Sequence, residues 1–254
     1  MKKRKAGIVI FVIVLIITAV RIKSMDSHRI SGRILAENIA GPGMLRLVEQ
    51  SMQARARKTS VTEIAVKERK HPQAALTFDD GPDIRYTPLL LDGLKERNVR
   101  VSFFLLGEKV EQYPELVERM QKEGHLVGNH TYHHVQLNKL NETKAREEIL
   151  KTNNLIYETT GVYPLYLRPP FGAWKKNLEL CVEMLPVFWT IDTLDWKVQN
   201  TEKIVRTVQE QIEDGAIILM HDEYDTSVEA ALQVVDELKN QEYELVTVDQ
   251  LILP

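Results

Sequence analysis

From Gln73 onward, short apolar segments alternate with longer segments of helical periodicity, and this alternation constrains the fold more than any other feature. The predicted strands span residues 74–78, 101–106, 126–129, 165–167, 187–189, 216–220 and 244–246. The predicted helices span residues 88–97, 114–123, 143–160, 201–213 and 227–240. Strands that alternate with helices of this length form βαβ units in a parallel sheet. The pattern therefore predicts an α/β fold and favours an abbreviated barrel over an open sheet, an alternative that periodicity leaves open.

The N-terminus has the pattern of a membrane segment. Four basic residues, Lys2–Lys5, precede an apolar run from Ala6 to Val20. A helix of that length spans about 22 Å, and flanking basic side chains can snorkel to help it cross a hydrocarbon core of about 30 Å. A cleaved signal peptide is the alternative, but residues 19–22 lack a small-x-small cleavage site.

We therefore predict a basic cytoplasmic tip and transmembrane anchor at residues 1–22, followed by a stalk or linker at residues 23–71. The positive-inside rule then makes the chain a single-pass protein of the cell membrane, with residues 72–254 outside the cytoplasm. Cleavage of the N-terminal segment would instead make it a secreted protein.

Charge and cysteine content limit the classes of function. Residues 1–71 carry 15 Lys and Arg against 5 Asp and Glu, whereas the rest of the chain carries 18 against 31. An acidic body argues against a nucleic-acid groove. The single cysteine, Cys181, has no partner for an internal disulfide, and we expect it to be inert core filling. Nothing in the sequence implies a protein partner.

Polar side chains follow the predicted strands, which is where α/β barrels hold reactive groups. Asp79 and Asp80 follow the first strand. Adjacent carboxylates repel each other, so this pair suits one metal ligand and one general base. The alternative is a solvated turn, since Asp-Asp-Gly-Pro is also typical turn composition.

Three of the seven histidines fall within residues 130–134, after the third predicted strand. His130 and His134 stand at i and i+4, a spacing that lets both rings reach one metal. His130 with His133 is the competing pair, and a lone histidine would more often be structural. Two histidines with one aspartate would leave positions open for water and substrate, as catalytic metal sites require.

The later strands end in further candidates. Arg168 opens a rigid Arg-Pro-Pro-Phe-Gly turn and could hold a carboxylate, or could be an ordinary surface arginine. His221 follows the sixth strand and suits a general acid if an acidic residue elsewhere orients it. Trp196, beside Asp195, could form an apolar wall for a sugar ring or could be core. Because all of these residues follow successive strands, the sequence favours a catalytic metal site.

Five segments in order carry a resemblance to a known family. They are Thr77–Gly81 (TFDDG), His130–His134 (HTxxH), Arg168–Gly172 (RPPFG), Asp192–Trp196 (DxxDW) and Leu219–His221 (LxH). Residues 72–254 resemble the polysaccharide deacetylases of carbohydrate esterase family four, the NodB-homology domain. The resemblance implies an irregular (β/α)7–8 barrel of the polysaccharide deacetylase type. It also implies a divalent metal, Zn²⁺ first and Co²⁺ or another transition ion as the alternative.

The resemblance implies a role for each matching residue. The metal ligands would be Asp80, His130 and His134, and the catalytic residues would be Asp79 as base, Arg168 holding Asp79, His221 as acid and Asp195 orienting His221. Phe171 would offer its backbone N–H to the oxyanion, and Trp196 and Leu219 would line the acetyl pocket. Val135 stands where many members have proline, which shapes the loop and binds no metal.

The implied substrate is a polysaccharide that loses its N-acetyl groups. We expect the GlcNAc or MurNAc units of cell-wall peptidoglycan, or a related extracellular glycan, because the predicted anchor suits a large substrate outside the membrane. The alternatives are an O-acetyl esterase, a small cyclic amide hydrolase on the same barrel and an inactive glycan-binding module. An inactive module would be expected to lack part of the polar set, which is complete here.

Overall fold

The computed structural model describes residues 70–174 and 184–252. The predicted anchor at residues 1–22, nearly all of the predicted stalk at residues 23–71 and Cys181 lie outside the described residues. Within the described part of the chain, no helix has the length and apolar character needed to span a membrane. The anchor and the domain boundary near His71 therefore stay predictions.

The described residues contain eight strands in one sheet, and all of their pairings are parallel. In chain order the strands are β1 (Gln73–Asp79), β2 (Ser102–Leu105), β3 (Leu126–Asn129), β4 (Tyr166–Leu167), β5 (Leu185–Pro186), β6 (Ile191–Asp192), β7 (Ala216–His221) and β8 (Glu244–Leu245). The hydrogen-bonded order is β5-β4-β3-β2-β1-β7-β6, and β8 pairs with the start of β1. The sheet curls into a half-barrel, so the predicted parallel α/β fold is confirmed.

The sheet differs from the predicted barrel at its two edges. Among the described residues no pairing joins β5 to β6, so the barrel is not closed. The predicted strand at residues 187–189 is wrong, because the ladders with β4 and β7 form on either side of it, in β5 and β6. Val187 is buried but Phe188 is 41% exposed. Apolar content misplaced this strand because the neighbouring strand, and not the local run, decides where a ladder forms.

The described residues also contain eight α-helices. They are α1 (Tyr86–Glu96), α2 (Gly107–Gln112), α3 (Pro114–Lys122), α4 (Glu142–Thr160), α5 (Asp195–Val198), α6 (Thr201–Gln211), α7 (Asp225–Asn240) and α8 (Val248–Ile252), with short 3-10 turns at Leu137–Lys139 and Pro170–Gly172. The five predicted helices are confirmed to within two residues at each end. Helix α4 shows why: Asn141 caps its first turn through the Lys144 N–H, and Gly161 ends it at a φ of 73°.

Strand β1 lies at the centre of the sheet and positions the functional residues. Ala74, Leu76 and Phe78 of this strand belong to the main core, together with residues of β2, β7, α1 and α7. Asp79 at its end is in register with Phe104 of β2 and with His221 of β7. Because parallel strands end at one edge of a sheet, the residues that follow β1, β3, β4 and β7 meet there.

Candidate active site

Asp80, His130 and His134 bring three metal-ligating atoms together at this edge. The Nε2 atoms of both histidines lie 3.4 Å from Asp80 Oδ1, and the three ligand atoms are all within 4.8 Å of one another. Asp80 Oδ1 is buried, and no hydrogen-bond partner for it occurs among the described residues. Ligand atoms about 2.1 Å from a tetrahedral metal lie about 3.4 Å apart. The donor set therefore fits a divalent cation, which would also satisfy the buried oxygen.

The hydrogen bond at the far side of His130 prepares this ring as a ligand. His130 Nδ1 lies 2.6 Å from the backbone carbonyl oxygen of Arg168. A carbonyl oxygen only accepts, so Nδ1 carries the proton and Nε2 keeps its lone pair for a metal. Burial lowers the pKa of His130 to about 3, although the charge of Asp80 opposes this shift. The imidazole is therefore neutral at physiological pH, as metal binding requires.

His133, the competing ligand in the sequence, is turned elsewhere. Its Nδ1 atom lies 2.8 Å from Glu148 Oε1 in helix α4, and its side chain is 58% exposed. It is not one of the three residues whose ligand atoms converge. The structure thus favours His134 over His133 as the second histidine ligand.

Asp79 and Arg168 form a buried ion pair beside the three ligands. Arg168 Nη1 donates to Asp79 Oδ1 at 2.8 Å and to Thr77 Oγ1 at 2.7 Å. Asp79 is 3% exposed and Arg168 is fully buried, with its guanidinium 4.2 Å from the centre of the Phe104 ring. Burial raises the pKa of Asp79, while the charge of Arg168 acts against that rise. Asp79 Oδ2 lies 3.7 Å from His130 Nε2, so this carboxylate borders the ligand set.

His221 and Asp195 form the second buried pair. His221 Nδ1 lies 2.8 Å from Asp195 Oδ1, and the His221 backbone N–H donates to Asp195 Oδ2 at 2.7 Å. Burial by itself lowers the pKa of His221, but the hydrogen bond and charge of fully buried Asp195, with smaller contributions from Asp79 and Asp80, raise it to about 9. His221 Nε2 lies 3.8 Å from Asp80 Oδ2 and faces the ligand set.

The residues expected to surround the acetyl group lie at the same edge. Phe171 has a φ of 59°, is 62% exposed and places its ring centre 4.5 Å from that of His134. Leu219 is buried on β7 two residues before His221, so both side chains share one face of that strand. Trp196 is half exposed, which excludes the alternative of a core tryptophan.

Sequence reasoning missed two residues that contact this set. Thr77 accepts from Arg168 and donates to the backbone oxygen of Ile218 at 2.7 Å. Its signals in the sequence were its polarity within an apolar strand and its place at the start of the TFDDG segment, but no role was assigned to it. Glu148 contacts the segment between the histidine ligands from helix α4. A glutamate on a largely exposed helix gives no such signal in the sequence.

Comparisons of the sequence with known proteins find related deacetylases. A family model described as polysaccharide deacetylase matches residues 66–187. The peptidoglycan-N-acetylglucosamine deacetylase PgdA of Listeria monocytogenes is 41% identical over 185 residues, which cover 73% of this chain and 40% of the relative. A peptidoglycan-N-acetylglucosamine deacetylase of Bacillus cereus is 39% identical over 186 residues, covering 70% of this chain and 68% of the relative.

A solved structure gives the same result. Peptidoglycan deacetylase PdaC from Bacillus subtilis superimposes with a TM-score of 0.70 at 41% identity, over 72% of this chain and 91% of that structure. The parallel half-barrel of this chain therefore has the fold of a solved peptidoglycan deacetylase. This chain belongs to the polysaccharide deacetylase family. It spans about two fifths of the length of the Listeria relative.

Proposed function

We propose that this chain is a metal-dependent hydrolase that removes N-acetyl groups from the GlcNAc or MurNAc units of peptidoglycan. The observation that carries the proposal is the convergence of the Asp80, His130 and His134 ligand atoms beside two buried pairs, Asp79–Arg168 and Asp195–His221. Membership of the deacetylase family supports the reaction. The related proteins from Listeria and Bacillus are named as peptidoglycan deacetylases, and this supports peptidoglycan as the substrate.

The ligand set suits a cation that is borderline between hard and soft, such as Zn²⁺. Two imidazoles and one carboxylate are a donor combination that Zn²⁺ takes in catalytic sites, and Co²⁺ or another transition ion is compatible with it. When bound, such a metal supplies Lewis-acid polarisation of the acetyl carbonyl and of the attacking water.

Asp79 acts as the general base. Its Oδ2 atom faces the ligand set, while Oδ1 is held by Arg168, so the carboxylate is oriented to accept the proton of water as it attacks the acetyl carbon. Burial raises the pKa of Asp79, which strengthens it as a base, and the charge of Arg168 favours its ionised form. We assign the Phe171 backbone N–H to the developing oxyanion.

His221 acts as the general acid. Its pKa of about 9 keeps the ring protonated at neutral pH, with Nδ1–H bound to Asp195 and Nε2–H free to move to the leaving nitrogen. Protonation of that nitrogen lets the C–N bond break, and the products are acetate and a free amine on the sugar. Leu219 and Trp196 line the pocket for the acetyl methyl group.

The test is acetate release from a panel of acetylated glycans by the purified full chain, with and without a chelator. We expect release from peptidoglycan that stops with the chelator and returns with Zn²⁺ or Co²⁺. Asp79→Asn should keep the metal and lose about 10²–10⁴-fold in turnover, the usual share of general base catalysis. Asp80→Asn should lose metal affinity together with activity, and added metal should restore it in part.

The same experiment separates the alternatives. Release of acetate only from O-acetylated glycans would identify an esterase, and activity only on cyclic amides would identify the small-molecule hydrolase. Glycan binding without release would identify a binding module, and full activity in a metal-free preparation would refute the metal-dependent mechanism.

We also propose that the N-terminal segment anchors the chain in the cell membrane with the deacetylase domain outside the cytoplasm. The basic residues Lys2–Lys5 and the apolar run from Ala6 to Val20 support this location. The intact chain should sediment with membranes and be cut by protease added outside the cell. A processed N-terminus near Arg21 in the medium would show a secreted protein instead.

A further inference from the structure

The segment between the two histidine ligands, residues 131–133, is called the ligand loop below. The backbone is strained at the start of the ligand loop and at the residue that follows it, because φ is 68° at Thr131 and 54° at His134. Left-handed values of this kind are unfavourable for side chains with a Cβ, above all for a β-branched residue such as threonine. The ligand loop therefore needs contacts from outside to hold the conformation in which His130 and His134 face Asp80.

One set of these contacts comes from the start of helix α2. The backbone N–H groups of Gly107 and Glu108 donate to the carbonyl oxygens of Thr131 and Tyr132 at 2.9 and 3.3 Å. Gly107 lacks a side chain where the loop approaches, since a Cβ there would lie 2.4 Å from Tyr132 Cδ2. These bonds satisfy two carbonyl groups of the ligand loop but leave the N–H groups of Tyr132 and His133 to another partner.

That partner is Glu148 of helix α4. Its Oε2 atom accepts from the backbone N–H groups of Tyr132 at 3.1 Å and His133 at 2.9 Å. Its Oε1 atom lies 2.8 Å from His133 Nδ1, which turns that ring away from the ligand set. The Glu148 side chain is only 16% exposed, so water does not readily replace it as an acceptor.

Helix α4 supports the ligand loop at a second point. The Thr131 N–H donates to Asn129 Oδ1 at 2.7 Å, and Asn129 Nδ2 donates to the Ile149 backbone oxygen at 2.9 Å and to Asn153 Oδ1 at 2.7 Å. Consecutive turns of α4 thus hold both ends of one short segment. A displacement of Glu148 would move the loop relative to Asn129 and shift His134 with it.

We propose that Glu148 is a positioning residue for the metal centre, which fixes the spacing of His130 and His134 by accepting the N–H groups of Tyr132 and His133 and holding the His133 ring aside. This inference rests on the proposed function, since it assumes a metal at Asp80, His130 and His134. Glu148 is not one of the three residues whose ligand atoms converge, and it acts through the backbone of the ligand loop. The length of the Glu148 side chain, which brings its acceptor oxygens to the loop, and not its negative charge, is what positions the ligands.

Four variants separate reach from charge. Glu148→Ala removes the acceptor, and Glu148→Asp keeps the charge but withdraws it by about 1.5 Å, one C–C bond. Glu148→Gln keeps the reach, because its Oε1 can accept both N–H groups while its amide donates to His133 in the other tautomer. Glu147→Ala is the matched control, because it removes the same charge from an exposed neighbour on the same helix.

The measurement is Zn²⁺ affinity of the purified full chain by competition with a chromophoric chelator, together with the visible absorption of the Co²⁺ form. We expect Glu148→Ala and Glu148→Asp to bind Zn²⁺ about tenfold or more weakly and to alter the Co²⁺ bands, as loss of supporting contacts around a metal does elsewhere. Glu148→Gln and Glu147→Ala should stay close to the unsubstituted chain in both readouts.

Each other outcome has a definite meaning. Unchanged affinity and spectrum in folded Glu148→Ala would overturn the inference. Normal Zn²⁺ binding by Glu148→Asp with weak Zn²⁺ binding by Glu148→Gln would overturn it as well, because the negative charge of Glu148, and not the length of its side chain, would then support the metal site. If Glu148→Ala does not fold, the Asp and Gln variants decide alone. Absence of Zn²⁺ binding by the unsubstituted chain would instead refute the proposed function, on which this inference depends.

Discussion

Replacing Arg168 by methionine should destabilise the protein in a way that depends on pH. Methionine keeps an unbranched stem against Phe104 but removes the cation, so Asp79 remains as a buried carboxylate that is 3% exposed and has lost its 2.8 Å partner. Removing one member of a buried ion pair costs about 3–5 kcal/mol. We expect a loss of that size in the free energy of unfolding near pH 8.

The direction of the pH dependence follows from Asp79. Burial already raises its pKa in the folded protein, and Arg168 works against that rise, so the substitution raises the pKa further. A carboxyl group whose pKa is higher in the folded state binds more protons folded than unfolded, so its contribution to stability falls as pH rises between the two pKa values. In Arg168→Met the folded-state pKa of Asp79 is higher, so the contribution of Asp79 to stability continues to fall up to a higher pH. The loss relative to the unsubstituted chain should therefore be smaller at pH 5 than at pH 8.

The assay is urea unfolding of both chains in chelator at pH 5 and pH 8. Arg97→Met is the matched control, because Arg97 pairs with Asp236 at 2.8 Å but both side chains are partly exposed, at 26% and 52%. Pairs of this kind contribute about 0–1 kcal/mol. The reasoning would be refuted if Arg168→Met lost no more stability than Arg97→Met, or if its loss were equal at both pH values.

Three further predictions follow from the site. His134→Ala should abolish tight Zn²⁺ binding while His133→Ala weakens it only slightly, and metal content after dialysis distinguishes them; the reverse result would make His133 the ligand. Asp195→Asn should lower the pKa of His221 from about 9, so the alkaline limb of the kcat/KM profile should move to lower pH, and an unmoved limb would exclude His221 as the acid. Gly107→Ala would place a Cβ within 3 Å of two side chains, so thermal unfolding should show about 1–3 kcal/mol of destabilisation, and an unchanged Tm would contradict the close approach.

The sequence by itself predicted the α/β class, the five long helices and six of the strands. These follow from local periodicity, which depends on which side of each element is buried. It also predicted which residues would gather at the edge of the sheet where the parallel strands end. A polar residue directly after a parallel strand lies at that edge whatever the neighbouring strand is. Asp79, Asp80 and the histidines of residues 130–134 were placed at this edge in this way, since each needed only its own strand, whereas the choice of Asp80, His130 and His134 as the ligands came from the family resemblance.

The tertiary structure decided everything that depends on a partner distant in the chain. Periodicity could not pair Arg168 with Asp79 across 89 positions or Asp195 with His221 across 26, and before the structure only the family resemblance implied these two pairs. Periodicity could not show that strand pairing falls at Leu185–Pro186, because a ladder forms where its neighbour lies. The choice of His134 over His133 depends likewise on Glu148 in another helix. Local patterns fix which face of an element is buried, but the direction of a side chain and its hydrogen-bond partner are set by packing between elements, which a single stretch of sequence does not contain.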